Sequence, residues 1–263
     1  MNLGLEGRVA LITGGSKGIG KAVARSLIAE GVHVSICARN HESLEQTAAE
    51  LTAMSRCKVL AVRADMESRD DIRRLVQRTV DEFGRIDLFV NNAGPGAVPG
   101  NFLSLSDEAW QQAVNIRIFG YVRMVYEVAP VMIRQGKGRI INVAGIAGKE
   151  PDDWTIMMGV MAGGIVNFSR GLARALTPHG VTVVGVAPGR TFTSDYPQTI
   201  KRLAAERGAS EDEMKRFMVS RIPLGRFIQP EEIGNVVAFL ASDLALAING
   251  TTVMVDGGEL RGL

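Results

Sequence analysis

The sequence predicts a single α/β domain, a parallel sheet of about seven strands with helices on both faces. Three observations carry that expectation. Short β-branched runs alternate with longer amphipathic stretches, and most of these runs are apolar throughout, as strands covered on both sides must be. A glycine-rich turn also joins the first run to the first helical stretch. The strand candidates are residues 9–12, 32–37, 59–62, 88–90, 139–143, 181–186 and 252–255.

Between them the helical period marks residues 18–30, 42–54, 69–83, 107–134, 155–177 and 231–241. Ser106 stands ahead of an acidic first turn, and Pro230 precedes Glu231 and Glu232, both start signals. Gly31 and Gly84 stand where a helix ends in the left-handed conformation. No linker, repeat or low-complexity tract interrupts the 263 residues, so residues 1–263 read as one domain. One long insertion, at about 190–228, breaks the βα rhythm and carries charged helical stretches such as 210–220. Insertions of this length serve as substrate lids or as solvated surface helices, and both readings stay open.

With 30 Lys and Arg against 28 Asp and Glu, the chain has no polyanion footprint, and no nucleic-acid partner is expected. Its two cysteines, Cys37 and Cys57, cannot staple a domain of this size and suit a reducing, cytoplasmic compartment. No uncharged apolar run approaches eighteen residues and the N-terminus lacks a basic-then-apolar pattern, so neither a membrane span nor a secretory address is expected. No metal site is assigned. There are three tyrosines, Tyr121, Tyr126 and Tyr196, and chemistry that needs a phenol must use one of them.

Directly after the first strand the chain reads Thr13-Gly14-Gly15-Ser16-Lys17-Gly18-Ile19-Gly20. Glycines there let a ligand approach the main chain, and the helix beyond them offers unpaired N–H groups and a positive dipole end to a pyrophosphate. The second strand ends Cys37-Ala38-Arg39-Asn40, without the acid that would accept the ribose hydroxyls of NAD. Arg39 can instead grip a 2′-phosphate, and Lys17 adds a second cation, so NADP(H) is the expected cofactor.

The Gly-x₃-Gly-x-Gly spacing resembles the short-chain dehydrogenase/reductase family. Asp65-Met66, Asn91-Asn92-Ala93-Gly94, Pro188-Gly189 and the ending Asp256-Gly257-Gly258 match it in order along essentially the whole chain. The resemblance implies a Rossmann-type, doubly wound sheet with strand order 3-2-1-4-5-6-7. It implies that Gly14, Ser16, Lys17, Gly18, Ile19 and Gly20 hold the pyrophosphate, with Arg39 and Asn40 at the 2′-phosphate. Asp65, beside Met66, would bond the adenine amino group, Asn92 and Ala93 would line the adenosine ribose, and Gly94 would permit close packing. After Pro188-Gly189, the backbone of Thr191 and the hydroxyl of Thr193 would hold the nicotinamide carboxamide.

The family completes hydride transfer to a carbonyl with a serine, a tyrosine acid and a lysine. Family spacing puts Gly145, Met158 and Ala162 at those positions, and residues 150–170 contain neither tyrosine nor lysine. None of the three side chains can donate a proton at neutral pH. Asn115 matches the family's helix asparagine and is the one catalytic candidate, although a buried amide bridging helix backbone would leave the same trace. Gly145, Trp154, Met158, Ala162 and Tyr196 are expected to line the substrate pocket, with Asp152 and Asp153 at its edge.

The leading expectation is an atypical NADP(H)-dependent oxidoreductase that delivers hydride to an activated C=C bond, such as an enoyl thioester or enone. A non-catalytic NADP(H)-binding protein or redox sensor, and a ketone or alcohol oxidoreductase with a substitute acid, are the alternatives. The partners expected are a small-molecule substrate and, from the resemblance, further copies of the chain in a homotetramer or homodimer.

Overall fold

In the computed structural model, which describes residues 2–94 and 102–262, the seven expected strands are β1 Val9–Thr13, β2 His33–Ala38, β3 Val59–Arg63, β4 Leu88–Asn91, β5 Gly138–Val143, β6 Val181–Pro188 and β7 Thr252–Val255. They form one parallel sheet in the order β3-β2-β1-β4-β5-β6-β7. The chain therefore reverses direction of travel between β1 and β4, and the crevice at that switch point is where ligands bind in open α/β sheets. The doubly wound expectation holds in full.

The helices are α1 Gly18–Ala29, α2 His41–Met54, α3 Arg69–Phe83, α4 Asp107–Val114, α5 Gly120–Gln135, α6 Ile156–Leu176, α7 Tyr196–Arg207, α8 Glu211–Ser220 and α9 Pro230–Ala241. Strand residues alternate between two cores. Ala10, Ile12, Val184 and Val186 pack with α1, α2 and α9, whereas Leu11, Ile140, Val181 and Val183 pack with α3, α5 and α6. Close approach of α1 and α9 needs Gly234, where a Cβ would stand 2.8 Å from the carbonyl oxygen of Ala22.

Three features go beyond the sequence reading. The stretch expected as one helix over 107–134 is α4 and α5 joined by a π-helical turn, Asn115–Phe119, which inserts an extra residue in the helical path and shifts the phase of α5 relative to α4. The insertion, expected to hold charged helical stretches, folds as two helices. α7 begins at Tyr196-Pro197, and with α8 it builds a small core of Ile200, Leu203, Met214, Met218 and Phe227 against Trp154. Finally, α6 with the turn after it is long and apolar enough to cross a membrane by composition, with a mean hydropathy of 1.3. It lies against β5 and β6 and buries Met157, Met161, Ala162, Ile165 and Ala173, while Val160 on its outer face is 56% exposed.

Candidate active site

The carboxyl ends of the strands open onto a cleft of about 790 Å³. Its walls bring together Gly14, Ser16, Lys17, Gly18, Ile19 and Gly20 of the loop after β1, Arg39 and Asn40 after β2, and Asp65 and Met66 after β3. Asn92, Ala93 and Gly94 come after β4, and Pro188, Gly189, Thr191 and Thr193 from the end of β6 and its loop. Gly145, Trp154, Met158, Ala162 and Tyr196 line the other end.

The loop is built for close approach. Gly14 has φ +67°, and a Cβ on Gly20 would collide with the Gly14 carbonyl oxygen. The loop is braced from behind by Thr13 and Asn92. Thr13 Oγ1 accepts from the backbone N–H of Asn92 (2.9 Å) and of Ala93 (3.0 Å), and the Asn92 side-chain amide donates to the carbonyls of Thr13 (2.9 Å) and Gly14 (3.3 Å). Asn92 thus spends its amide on the loop. Whereas Asn40, Ser68 and Ser106 cap α2, α3 and α4, no side chain caps α1 and no acid sits in its first turn. Its first N–H groups are left to an anion. This cradle fits a dinucleotide pyrophosphate.

Arg39 stands exposed at the tip of β2, and Asn40 beside it accepts from the backbone N–H of Ser43 at 2.8 Å, so its side-chain oxygen is committed to the α2 cap. Lys17 Nζ pairs at 2.5 Å with Asp195 of the insertion, across the mouth of the cleft. Asp65 is held by its own backbone N–H, which donates to Asp71 at 2.9 Å. That N–H, with Arg74 and Ser68 adding to it, keeps the Asp71 carboxyl below the usual range despite some burial. Sequence reading missed Asp71 as a brace, because its contact lies six residues from the residue it orients.

At the other end Gly145 (φ +152°) faces Ala162, whose Cβ lies 3.9 Å from where a Cβ on Gly145 would stand. With Met158 these positions present no proton donor to the cleft. Tyr196 does reach it. Its ring packs edge-on against Phe227 at 5.0 Å between centroids, and burial pushes its hydroxyl pKa well up, against the opposing pull of Arg190. The phenol is neutral throughout the ordinary pH range and so has a proton to donate in a hydrogen bond.

A buried ionic cluster floors this end. Arg190 pairs with Asp152 (2.6 Å) and with Glu259, Asp152 also accepts from Arg221 (2.6 Å), and the Arg190 guanidinium lies 5.3 Å from the Trp154 ring. Of these, sequence reading found Asp152 and Trp154 only, since the four charged groups come from segments far apart in the chain. Asp153, expected beside Asp152, is 82% exposed and turns outward to Arg207. Arg117, on the π-helical turn, also lines the cleft and went unnoticed in the sequence.

Asn115 lies behind the wall, not in it. Its amide donates to Glu67 Oε1 at 2.8 Å, and it is absent from the cleft lining. Asn142 donates to Ser169 at 2.9 Å and is fully buried. Of the other phenols, Tyr121 is buried with its hydroxyl on the Val143 carbonyl (2.8 Å), and Tyr126 is exposed. Cys37 lines the cleft with its thiol pushed up to about 12 by burial, which leaves it unreactive near neutrality.

Comparison with known proteins agrees with this geometry. The family described as Enoyl-(Acyl carrier protein) reductase matches residues 14–259. The chain is 34% identical to the uncharacterized oxidoreductase YvrD of Bacillus subtilis over the full length of both. It is 33% identical to the 3-oxoacyl-(acyl-carrier-protein) reductase FabG of Staphylococcus aureus, over 95% of this chain and 96% of that one. The L-sorbose reductase of Gluconobacter frateurii, solved with NADPH and L-sorbose, superposes with a TM-score of 0.94 at 31% identity, covering 100% of each chain.

Proposed function

This chain belongs to the short-chain dehydrogenase/reductase family, and from that premise we propose that it is an NADP(H)-dependent reductase that delivers hydride to a C=C bond conjugated to a carbonyl. The bound dinucleotide supplies the hydride. Lys17, Arg39 and the uncapped start of α1 would hold its phosphates, and the loop after β6, Thr191 to Thr193, would hold its nicotinamide end. The preference for NADP(H) rests on the two cations and on the missing acid at the β2 tip. The L-sorbose reductase structure, which contains NADPH, supports it.

The observation that carries the choice of reaction is the wall formed by Gly145, Met158 and Ala162, which offers no acid where the hydride arrives. Hydride addition to the β-carbon moves the π electrons onto the carbonyl oxygen as an enolate. A hydrogen bond suffices to stabilise that oxygen, and solvent water can later protonate the α-carbon. Oxidation of NADPH by enoyl thioesters or enones, with none by ketones, is the expected result. No turnover on either class, with NADPH still bound, would favour a non-catalytic cofactor-binding protein.

A second reading is reduction of a carbonyl with Tyr196 as the replacement donor. It is favoured by the presence of that phenol in the cleft and by the similarity to a 3-oxoacyl reductase and a sorbose reductase. In either reaction α7 and α8 would act as a lid over the substrate, latched through Lys17 and Asp195. The exposed Phe119, Tyr126, Ile133 and Val160 on the outer faces of the π-helical turn, α5 and α6 support assembly into a homodimer or homotetramer. Two free cysteines support a reducing, cytoplasmic setting.

A further inference from the structure

We infer that Arg117 holds the ribose on the nicotinamide side of the dinucleotide, so that a cation from the π-helical turn positions the hydride donor. The inference rests on the nucleotide-binding reading above and adds a residue to it.

Arg117 is locked in place. Its Nη2 donates to the carbonyls of Ala144 (2.6 Å) and Val143 (3.2 Å), the last residues before Gly145, and its Cζ lies 5.7 Å from the centre of the Tyr121 ring. The other side of the side chain lies on Gly94. A Cβ there would collide with Nη1 and stand 2.7 Å from Cδ. Glycine at position 94 is thus needed by Arg117, in addition to any need of a ligand. Arg117 lies within the π-helical turn, a feature often found at functional sites.

The charge on Arg117 calls for a ligand. Arg190 and Arg221 are matched by Asp152 and Glu259, and Lys17 by Asp195, whereas no described carboxylate pairs with Arg117. Its polar contacts are neutral carbonyls, and its Nη1 lies against Gly94 in the wall of the cleft. Oxygen-rich groups passing over Gly94 would satisfy that nitrogen. The end of the cofactor is set by the anchors. Arg39 and Asp65 stand at the tips of β2 and β3, on the adenosine side, while Arg117 is tied to the end of β5 beside the reaction wall. A guanidinium held this way needs no rearrangement when the ligand arrives.

Two probes separate this role from a general effect of charge: NADPH, and adenosine 2′,5′-bisphosphate, which has the phosphorylated adenosine half alone. Arg117→Met should weaken NADPH by about tenfold or more, the loss of one charge-assisted hydrogen bond, and leave the bisphosphate within about twofold. Arg117→Lys should recover part of the loss. Arg117→Gln, which keeps a polar side chain of similar reach without the charge, should show the same selective loss and provides the test if Arg117→Met fails to fold. Equal weakening of both probes, or of neither, would overturn the inference. Wild-type protein that binds NADPH without turning over any substrate would refute the proposed reaction but not this role. Wild-type protein that binds no NADPH would sink both.

Discussion

Tyr196 is where the two readings of the reaction part company. If the substrate is an activated C=C bond, Tyr196→Phe removes one hydrogen bond and should lower kcat by no more than about tenfold. If a carbonyl is reduced with Tyr196 as donor, the loss should reach about a hundredfold or more. Steady-state NADPH oxidation on the active substrate decides between them. At the opposite end of the cleft, Arg39→Ala should reduce the preference for NADPH over NADH by about tenfold, measured as the ratio of the two dissociation constants. Arg39 and Tyr196 could be singled out in the sequence because each lies close in the chain to a motif. Arg117 and Glu259 could not, since a lone arginine or glutamate in a chain that is 22% charged carries no mark of what it will face.

Elements were read best where their ends carry their own chemistry. Ser106 accepts from Ala109 N–H at 3.2 Å as its place before an acidic turn implied, and Gly84 takes φ +74° at the end of α3. The π-helical turn escaped because it differs from its neighbours by hydrogen-bond register alone, with no compositional signature. α7 escaped because its apolar positions, Ile200, Leu203 and Ala204, find their partners in α8. That small core should behave as a unit. Met218→Ala, at a fully buried position, should cost about 2–5 kcal/mol within it. The cost should appear as faster amide exchange in α7 and α8, with the sheet still protected. At the start of α9, Arg226 and the Gln229 backbone N–H lower the Glu232 pKa from 4.5 to about 2. Because the folded value is depressed, this cap stabilises the fold above about pH 4.5, and the benefit fades as pH falls toward 2. Glu232→Gln should flatten that acid limb in a pH series of thermal melts.

At the scale of the whole molecule, the unmet demand is the apolar outer surface. Phe119 is 51% exposed, Tyr126 74% and Val160 56%, and Val160 shows that α6 carries apolar residues on its outer face as well as on the face against the sheet. A second copy of the chain would cover them. Val160→Glu should shift the particle to a smaller assembly in light scattering and lower its melting temperature, whereas a mass unchanged from wild type would reject this face as the contact. By itself the sequence determined the sheet, its order and most of the helices, and it pointed to a phosphate-binding loop after β1. Continuous apolar runs alternating with amphipathic stretches point to a parallel sheet covered on both faces, and a glycine loop between strand and helix suits a phosphate locally, without help from distant residues. The tertiary structure alone added Arg117, Arg190, Arg221 and Glu259 to Asp152 and Tyr196, which the sequence had already put at the pocket. Arg117, Asp152, Arg190, Tyr196, Arg221 and Glu259 converge there from five separate segments. Such a meeting depends on the packing of α6 and α7 and the phase of one π-helical turn, neither of which any local pattern encodes.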